Sequence, residues 1–103
     1  MNTPLLDVQL VDAGETVLLR ISGELDVLTA PQLDRVLAAL HTRSCELDLA
    51  EVPFTDSTGV NLLVRHQRRA LREGGDLRLV AVTRPVRRVL EITGTAGPLL
   101  GGP

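Results

Sequence analysis

Apolar and polar residues alternate near the start of the chain, which is the pattern of strands with one buried face. Residues 5–11 hold apolar side chains in a rough alternation, and residues 16–22 form a stronger apolar run. The residues at 12–15, Asp-Ala-Gly-Glu, are typical of a turn. Because two strand-like runs joined by a short turn commonly pair with each other, we predict a β-hairpin here.

Three later segments repeat apolar residues at the helical spacing of three and four. In the first, Pro31 fits the first turn and Gln32 stands three residues after Thr29, so we predict a capping box with Thr29 as N-cap. This helix is predicted to end near His41. The predicted buried stripes of the three helices are Leu33, Val36, Leu37 and Leu40; Val60, Leu63, Val64, Ala70 and Leu71; and Val86, Val89 and Leu90. Leu62 falls outside the second stripe.

Strand-like segments at 44–49 and 77–82 separate these helices, and the second is apolar enough to predict a strand covered on both faces. The element order is therefore β-β-α-β-α-β-α, which predicts an α/β fold with helices packed on a mixed sheet. Residues 1–94 are assigned to one domain. Residues 95–103 are rich in Gly and Pro without periodicity, so we expect a loose tail in which Leu99 and Leu100 dock only weakly.

The segment Asp56-Ser57-Thr58-Gly59 lies where a predicted strand ends and a predicted helix begins. Asp, Ser and Thr are favourable N-caps, because a side-chain oxygen accepts a hydrogen bond from an unpaired N–H of the first turn. The same N–H groups and the positive end of the helix dipole favour an anion, so a phosphoryl group on Ser57 would be tolerated there. It would add a charge of about −1.5 to −2 beside Asp56. The residues alone leave two interpretations open, a helix cap and a charge-switched binding corner.

Composition excludes several classes of function. The formal net charge is −2 and Phe54 is the single aromatic residue, so we predict no direct nucleic-acid binding. The absence of Lys excludes a Walker-type phosphate loop, and the single Cys45 excludes an internal disulfide and a multi-cysteine metal site. Asp56 beside Ser57 does not supply the His-mediated geometry of acyl transfer. We therefore predict a protein that is not an enzyme and that needs no cofactor or metal.

The remaining charged and titratable residues have plain interpretations. His41 and His66 have no metal-ligating partner at suitable spacing, so both are predicted to lie on the surface. The arginines of the second helix are either a solvated face or a surface for an acidic partner; they are Arg65, Arg68, Arg69 and Arg72. The sequence has neither the apolar core of a signal peptide nor an apolar run of membrane-spanning length. We expect a cytoplasmic location and no membrane association.

Three blocks together resemble the STAS-domain family of bacterial anti-sigma factor antagonists. They are residues 23–26 (Gly-Glu-Leu-Asp), 54–60 (Phe-Thr-Asp-Ser-Thr-Gly-Val) and 85–94 (Pro-Val-Arg-Arg-Val-Leu-Glu-Ile-Thr-Gly). The resemblance spans residues 5–94 and implies the STAS fold, a small mixed sheet of about four strands with three or more helices packed largely on one side. Family members usually continue with a further strand and helix, so this chain is expected to be short or truncated after Gly94.

The resemblance also implies a function. In this family the unphosphorylated protein binds an anti-sigma factor, often a serine kinase, and thereby frees a sigma factor. The kinase uses ATP and Mg²⁺ to phosphorylate a serine that follows an aspartate, here Ser57 after Asp56, and a serine phosphatase reverses the modification. Thr58 is a second hydroxyl and the second choice. The implied partner-binding residues are Asp26, Asp56, Ser57, Thr58 and Gly59. An alternative is a non-switching STAS scaffold subunit of a larger assembly, such as a lipid-transport complex.

Overall fold

Strands and helices alternate after an initial hairpin in the computed structural model, which describes residues 5–101. The elements are β1 (Asp7–Asp12), β2 (Thr16–Ser22), α1 (Ala30–Ala38), β3 (Ser44–Glu51), α2 (Ser57–Arg72), β4 (Asp76–Val82), α3 (Arg84–Ile92) and α4 (Ala96–Leu100). The predicted hairpin is confirmed, since β1 and β2 pair antiparallel with Asp7 opposite Ser22. The pairs β2–β3 and β3–β4 are parallel, so the sheet has the order β1-β2-β3-β4 and the predicted mixed α/β fold is confirmed.

The sheet is covered on one face only. Side chains that point to the covered face form the core with apolar residues of the helices; they include Val17, Leu19, Ile21, Cys45, Leu47, Leu49, Leu77 and Leu79. On the opposite face Arg20, Glu46 and Arg78 are exposed. The prediction that β4 is covered on both faces was wrong, because Val80 of that strand is 50% exposed. One helical layer buries the alternating apolar residues of β2, β3 and β4, whereas β1 has no fully buried residue.

Three helices begin at the same edge of the sheet. Strands β2, β3 and β4 run parallel, so their carboxyl ends lie together, and α1, α2 and α3 follow these ends in turn. The connecting segments are residues 23–29, 52–56 and 83. In open α/β sheets this edge is where binding sites usually lie, because loops and helix N-termini converge there.

The start of α1 differs in detail from its prediction. Thr29 is the N-cap residue, but its side chain makes no capping hydrogen bond. Instead, its hydroxyl donates to the carbonyl of Glu24 at 2.7 Å and accepts from the N–H of Asp26 at 3.1 Å. Gln32 accepts from the N–H of Leu6 at 2.8 Å. The predicted capping box is therefore wrong, because both polar side chains bind the neighbouring loop and the N-terminal segment.

The buried face of α2 is wider than the predicted stripe. Leu62, which the pattern placed outside the stripe, is only 2% exposed, and Leu71, which it placed inside, is 60% exposed. The reason is that α2 packs on β4, α1, α3 and α4 together. Residues on more than one stripe of the helix are therefore covered by neighbouring elements. Its buried residues are Gly59, Val60, Leu62, Leu63, His66, Gln67 and Ala70.

The two histidines are buried, which overturns their predicted surface location. His41, after α1, and His66, on α2, are 8% and 6% exposed. Nε2 of His41 lies 2.7 Å from Nδ1 of His66, and Nε2 of His66 lies 2.7 Å from Oδ1 of Asp34. Burial is tolerated because the facing ring nitrogens hydrogen-bond to each other and His66 also has a carboxylate partner.

Residues 95–101 pack on the domain, which corrects the expectation of a loose tail. Thr95 precedes α4, and Leu99 within this helix is fully buried. The amide of Gln67 donates to the carbonyls of Leu77 at 2.8 Å and Pro98 at 2.7 Å, so it joins α4 to the edge strand β4. Residues 102 and 103 of the predicted tail lie outside the described residues, as do residues 1–4.

The docking of α4 is tested by Leu99→Ala. Because Leu99 is fully buried in the core, we expect this change to lower the free energy of unfolding by about 2–4 kcal/mol. Ile92→Ala is the matched control, since Ile92 is 74% exposed and its truncation should have little effect. Chemical denaturation of both variants measures the difference. Equal stabilities would contradict the packing of α4.

The buried histidine pair predicts a pH dependence of stability. Burial lowers the pKa of His41, and the nearby His66 ring lowers it further. The unfolded chain keeps an ordinary His pKa of about 6.5, so it binds more protons than the folded chain as the pH falls through that value. This contribution to stability is therefore present above about pH 6.5 and is lost below it. The lowered pKa values of Asp12, Asp34 and Glu73 act in the same direction, but in the acidic range of carboxylates.

Urea denaturation at a series of pH values between about 7.5 and 5.5 checks this expectation. We expect the free energy of unfolding to decrease towards the acidic end, and the slope to be smaller in His41→Gln, which removes the titrating ring but keeps a donor. Wild-type stability that stayed constant or increased on acidification would contradict the burial of the pair.

Candidate functional site

Ser57 opens α2, and Asp56 caps this helix. The backbone of Asp56 is extended, and its carboxylate accepts from the N–H of Gly59 at 3.0 Å. The carbonyl of Asp56 accepts from the N–H of Val60 at 3.1 Å. Asp56 is half-buried, whereas Ser57 and Thr58 are exposed. The cap interpretation is therefore confirmed for Asp56, and both hydroxyl residues are accessible at the surface.

The first two N–H groups of α2 are available to an anion. Within residues 5–101 the backbone N–H groups of Ser57 and Thr58 have no hydrogen-bond partner, while Asp56 occupies those of Gly59 and Val60. The first turn of the helix contains no acidic residue. Because these N–H groups lie at the positive end of a 16-residue helix, the helix end itself favours negative charge, and the adjacent carboxylate of Asp56 opposes it.

Two loops are paired by backbone hydrogen bonds beside this helix end. Leu25 and Thr55 form an isolated parallel bridge. The N–H of Leu25 donates to the carbonyl of Phe54 at 3.0 Å, and the N–H of Asp56 donates to the carbonyl of Leu25 at 3.3 Å. Leu25 and Thr55 are both buried. The loop after β2 and the loop after β3 are therefore joined into one continuous surface, which we call the Ser57 corner (residues 24–28 and 53–59).

Gly59 lets α2 approach the paired loops closely. A Cβ atom at this position would collide with the hydroxyl of Thr55 and would lie 2.8 Å from Cγ and 2.9 Å from the carbonyl oxygen of Leu25. Backbone and a buried side chain cannot move aside easily, so only glycine fits. Gly59 was predicted as a partner-binding residue. It is buried, and it acts on the corner by setting the position of the helix.

Asp26, a second predicted binding residue, organises the loop after β2. Its Oδ1 accepts from the N–H groups of Leu28 at 3.0 Å and Thr29 at 3.2 Å, and its carbonyl accepts from the N–H of Ala30 at 2.8 Å. Because Leu25 is paired with Thr55, this loop lies beside the start of α2. The structure thus brings Asp26 and Asp56 into the same corner, and each carboxylate binds local backbone N–H groups. Partner contact by Asp26 stays a prediction.

Three exposed apolar residues of the corner were not predicted as site residues. Val27 and Leu28 are 63% and 66% exposed, and Phe54 is 46% exposed. Exposed apolar residues grouped beside polar ones are typical of protein-binding surfaces. A sequence signal was present, since Val27 and Leu28 are adjacent apolar residues that belong to no strand or helix stripe.

The described residues place neither a metal-binding cluster nor His66 at the Ser57 hydroxyl. Among residues 5–101 no cluster of three or more His, Cys, Asp or Glu side chains could hold a metal ion. His66 lies on the same helix as Ser57, but about 13 Å further along its axis. That distance is too long for a base that must hydrogen-bond the hydroxyl.

None of the helices described between residues 5 and 101 has the length and apolar character needed to cross a membrane.

Known proteins resemble this chain in sequence and in fold. The family model described as "Mlab, STAS domain" matches residues 8–101. The anti-sigma-B factor antagonist of Staphylococcus aureus (strain NCTC 8325 / PS 47) is 35% identical over 78 residues, which cover 73% of this chain and 72% of that protein.

Two solved structures show the same likeness. The anti-sigma factor antagonist from Mycobacterium paratuberculosis has a TM-score of 0.77 and 27% identity, covering 86% of this chain and 78% of that one. The Bacillus cell fate determinant SpoIIAA in its phosphorylated form has a TM-score of 0.67 and 26% identity, covering 91% and 88%.

The close approach at Gly59 is tested by Gly59→Ala. Because the added methyl group meets backbone and buried atoms, we expect a loss of about 1–3 kcal/mol of stability, although Ala favours helices. Gly97→Ala in α4 is the matched control, since a Cβ atom there has no neighbour within 4 Å. It should be neutral or slightly stabilising. Thermal denaturation compares the two, and a neutral Gly59→Ala would contradict the geometry of the corner.

Proposed function

The chain belongs to the STAS-domain family, and we propose that it is an anti-sigma factor antagonist whose Ser57 corner is switched off by phosphorylation. Two of its relatives are named as an anti-sigma-B factor antagonist and an anti-sigma factor antagonist. In the proposed scheme the unphosphorylated corner binds an anti-sigma factor with serine kinase activity, and a sigma factor is released. A serine phosphatase restores the binding form, and the reaction takes place in the cytoplasm.

The accessible hydroxyl at the start of α2 is the observation that carries this proposal. A kinase substrate has to present only an exposed acceptor, because the kinase supplies the nucleotide and the metal ions. Ser57 is exposed, and its side chain belongs to the first residue of the helix. A phosphate there would lie near the unoccupied N–H groups of Ser57 and Thr58. The fold therefore tolerates the modification.

The chemistry of the surrounding surface supports loss of binding on phosphorylation. The unmodified corner offers a partner the apolar side chains of Val27, Leu28 and Phe54 around a neutral hydroxyl. A phosphate placed in such a contact must be desolvated, and it is repelled by the carboxylate of Asp56. Each 1.4 kcal/mol lost in this way weakens binding about tenfold.

Ser57 and Thr58 are both candidate acceptors, because both are exposed. We assign the switch to Ser57, since it directly follows Asp56, as the family pattern implies. The relative SpoIIAA, for which a phosphorylated form has been solved, supports a phosphorylation switch within this fold. Thr58 is one residue further along the helix and serves as the control position.

A second candidate function is a non-switching scaffold subunit of a larger assembly, such as a lipid-transport complex. The observation that favours it is the description of the matching family model, which names Mlab rather than an antagonist. A scaffold would use the same apolar corner, but its binding would be indifferent to the charge at position 57. The two candidates therefore differ in one measurable property.

Variants of Ser57 separate the two candidates. With the anti-sigma factor encoded in the same genome, Ser57→Ala should bind within about threefold of the wild type, whereas Ser57→Asp should bind at least about tenfold more weakly. Thr58→Ala and Thr58→Asp are matched controls for charge at the neighbouring exposed position. Calorimetry measures the affinities, and mass spectrometry after incubation with the anti-sigma kinase and ATP locates the phosphate.

The expected phosphate is on Ser57 and is absent from the Ser57→Ala protein. Equal affinities of Ser57→Ala and Ser57→Asp, together with stable co-purification of a transporter complex, would favour the scaffold and overturn the switch. Phosphate found only on Thr58 would overturn the assignment of Ser57.

A further inference from the structure

A groove between α1 and α2 lies away from the Ser57 corner, at the opposite end of α2. It encloses about 540 Å³. Asp34 and Ala38, one helical turn apart on α1, and His41, just after α1, line one side, and His66 is buried in the groove. The α2 side is formed by Arg65, Arg68, Arg69 and Arg72. We call this the α1–α2 groove.

The α1–α2 groove concentrates positive charge on a protein of formal net charge −2. Four arginines line it, against one aspartate. Arg69 pairs with Glu73, with Nε 2.6 Å from Oε2. In the part of the chain that the structure describes, the other three arginines form no ion pair. Like charges four residues apart on a helix destabilise it, as at Arg65–Arg69 and Arg68–Arg72, so a bound anion would relieve repulsion.

We propose that the α1–α2 groove binds a small, multiply charged oxyanion of the phosphate or sulfate class on its arginine wall. Guanidinium groups match such an ion because each presents two parallel N–H donors to two oxygens. This site is independent of the Ser57 corner and of the antagonist function, since it uses the C-terminal half of α2 and none of the corner residues.

The dimensions and the lining favour a small ion over an acidic protein surface. The arginine wall from Arg65 to Arg72 is about 10 Å long, so it presents its four guanidinium groups within a short distance of one another. Ala38 is the single apolar residue of the lining. Stable protein interfaces instead bury large apolar or aromatic anchors over about 800 Å² per partner. The groove offers no such anchor.

The buried histidine pair couples this site to pH. A carboxylate can only accept, so Nε2 of His66 donates to Asp34, and Nδ1 of the neutral His66 ring then accepts from Nε2 of His41. The next proton can therefore be taken up at Nδ1 of His41, which lies 4.0 Å from Oε2 of Glu73. An anion in the groove favours this protonated form, because opposite charge stabilises it. Binding should accordingly strengthen as the pH falls.

The groups around His41 determine whether the pKa of its ring is raised or lowered. Burial and the neighbouring ring of His66 lower the pKa of His41, and Arg69 acts in the same direction. Glu73, at the end of α2, and Asp34, on α1, raise it. In the free protein, the influences that lower the pKa of His41 outweigh those that raise it, so the ring is neutral near pH 7. A bound anion raises the pKa of His41, so proton uptake accompanies binding of the anion.

Sulfate is the probe for the experiment, because its charge stays constant across the pH range. Sulfate is titrated into the full chain while arginine side-chain resonances are followed by NMR, with chloride at matched ionic strength as the reference. We expect saturable shifts of the groove arginines with sulfate and not with chloride. Arg68→Gln/Arg72→Gln should weaken binding at least tenfold. Both residues are exposed, so the variant should keep the fold, which far-UV circular dichroism verifies.

Arg87→Gln/Arg88→Gln on α3 is the charge-matched control, since these two arginines are also exposed and lie outside the groove. It should bind sulfate as the wild type does. Equal weakening by both double variants, or equal effects of sulfate and chloride, would overturn the site as a non-specific salt effect. Binding of an oligoglutamate peptide without binding of sulfate would also overturn it, in favour of an acidic protein partner.

The coupling to pH has its own test in the same titration. The sulfate affinity of the wild type should rise severalfold between about pH 7.5 and pH 6, across the ordinary range of histidine titration. His41→Gln should bind sulfate at the higher pH but lose this dependence. An affinity that did not change with pH in the wild type would overturn the coupling.

Discussion

The parallel bridge between Leu25 and Thr55 holds the functional end of the molecule together. It pairs the loop after β2 with the loop after β3, and Gly59 allows α2 to pack against both. A side chain at position 59 would separate the three segments, because its neighbours are backbone and buried atoms. The position of the exposed Ser57 hydroxyl is therefore set by the buried residues Leu25, Thr55 and Gly59, which a partner does not need to contact.

The paired loops and the cap at Asp56 do not depend on the Ser57 hydroxyl, so the proposed switch is separate from the packing of the fold. Asp56 uses its carboxylate to cap α2, so the helix end is stabilised whether or not Ser57 carries a phosphate. Under the proposal, a change of charge at the exposed Ser57 would alter the surface and leave the packing in place. The C-terminal half of the same helix lines the α1–α2 groove. The exposed polar groups there are arginines, whereas those at the N-terminus are hydroxyl groups. One 16-residue element thus presents two surfaces of different chemistry.

Helices and strands could be predicted from the sequence, because local periodicity specifies them. Contacts between residues far apart in the sequence could not be predicted in this way. The hairpin, the mixed α/β fold and a helix cap within residues 56–58 follow from alternation, helical spacing and turn residues. The burial of His41 and His66 does not, because it depends on two residues 25 positions apart becoming each other's partner. The tail after Gly94 has the composition of a loop, yet Leu99 finds a place in the core once the sheet and α2 exist. Of the Ser57 corner, sequence identified the polar residues but not the exposed apolar ones.

The central claim is that phosphate on Ser57 removes partner binding without unfolding the protein. The most direct measurement compares the dissociation constant of the anti-sigma factor complex for unmodified protein and for protein phosphorylated stoichiometrically on Ser57. Amide NMR spectra of both forms are recorded in parallel. We predict a loss of affinity of at least about a hundredfold, or about 2.7 kcal/mol, with amide shifts confined to the Ser57 corner. Equal dissociation constants would contradict the account, as would a spectrum of unfolded protein.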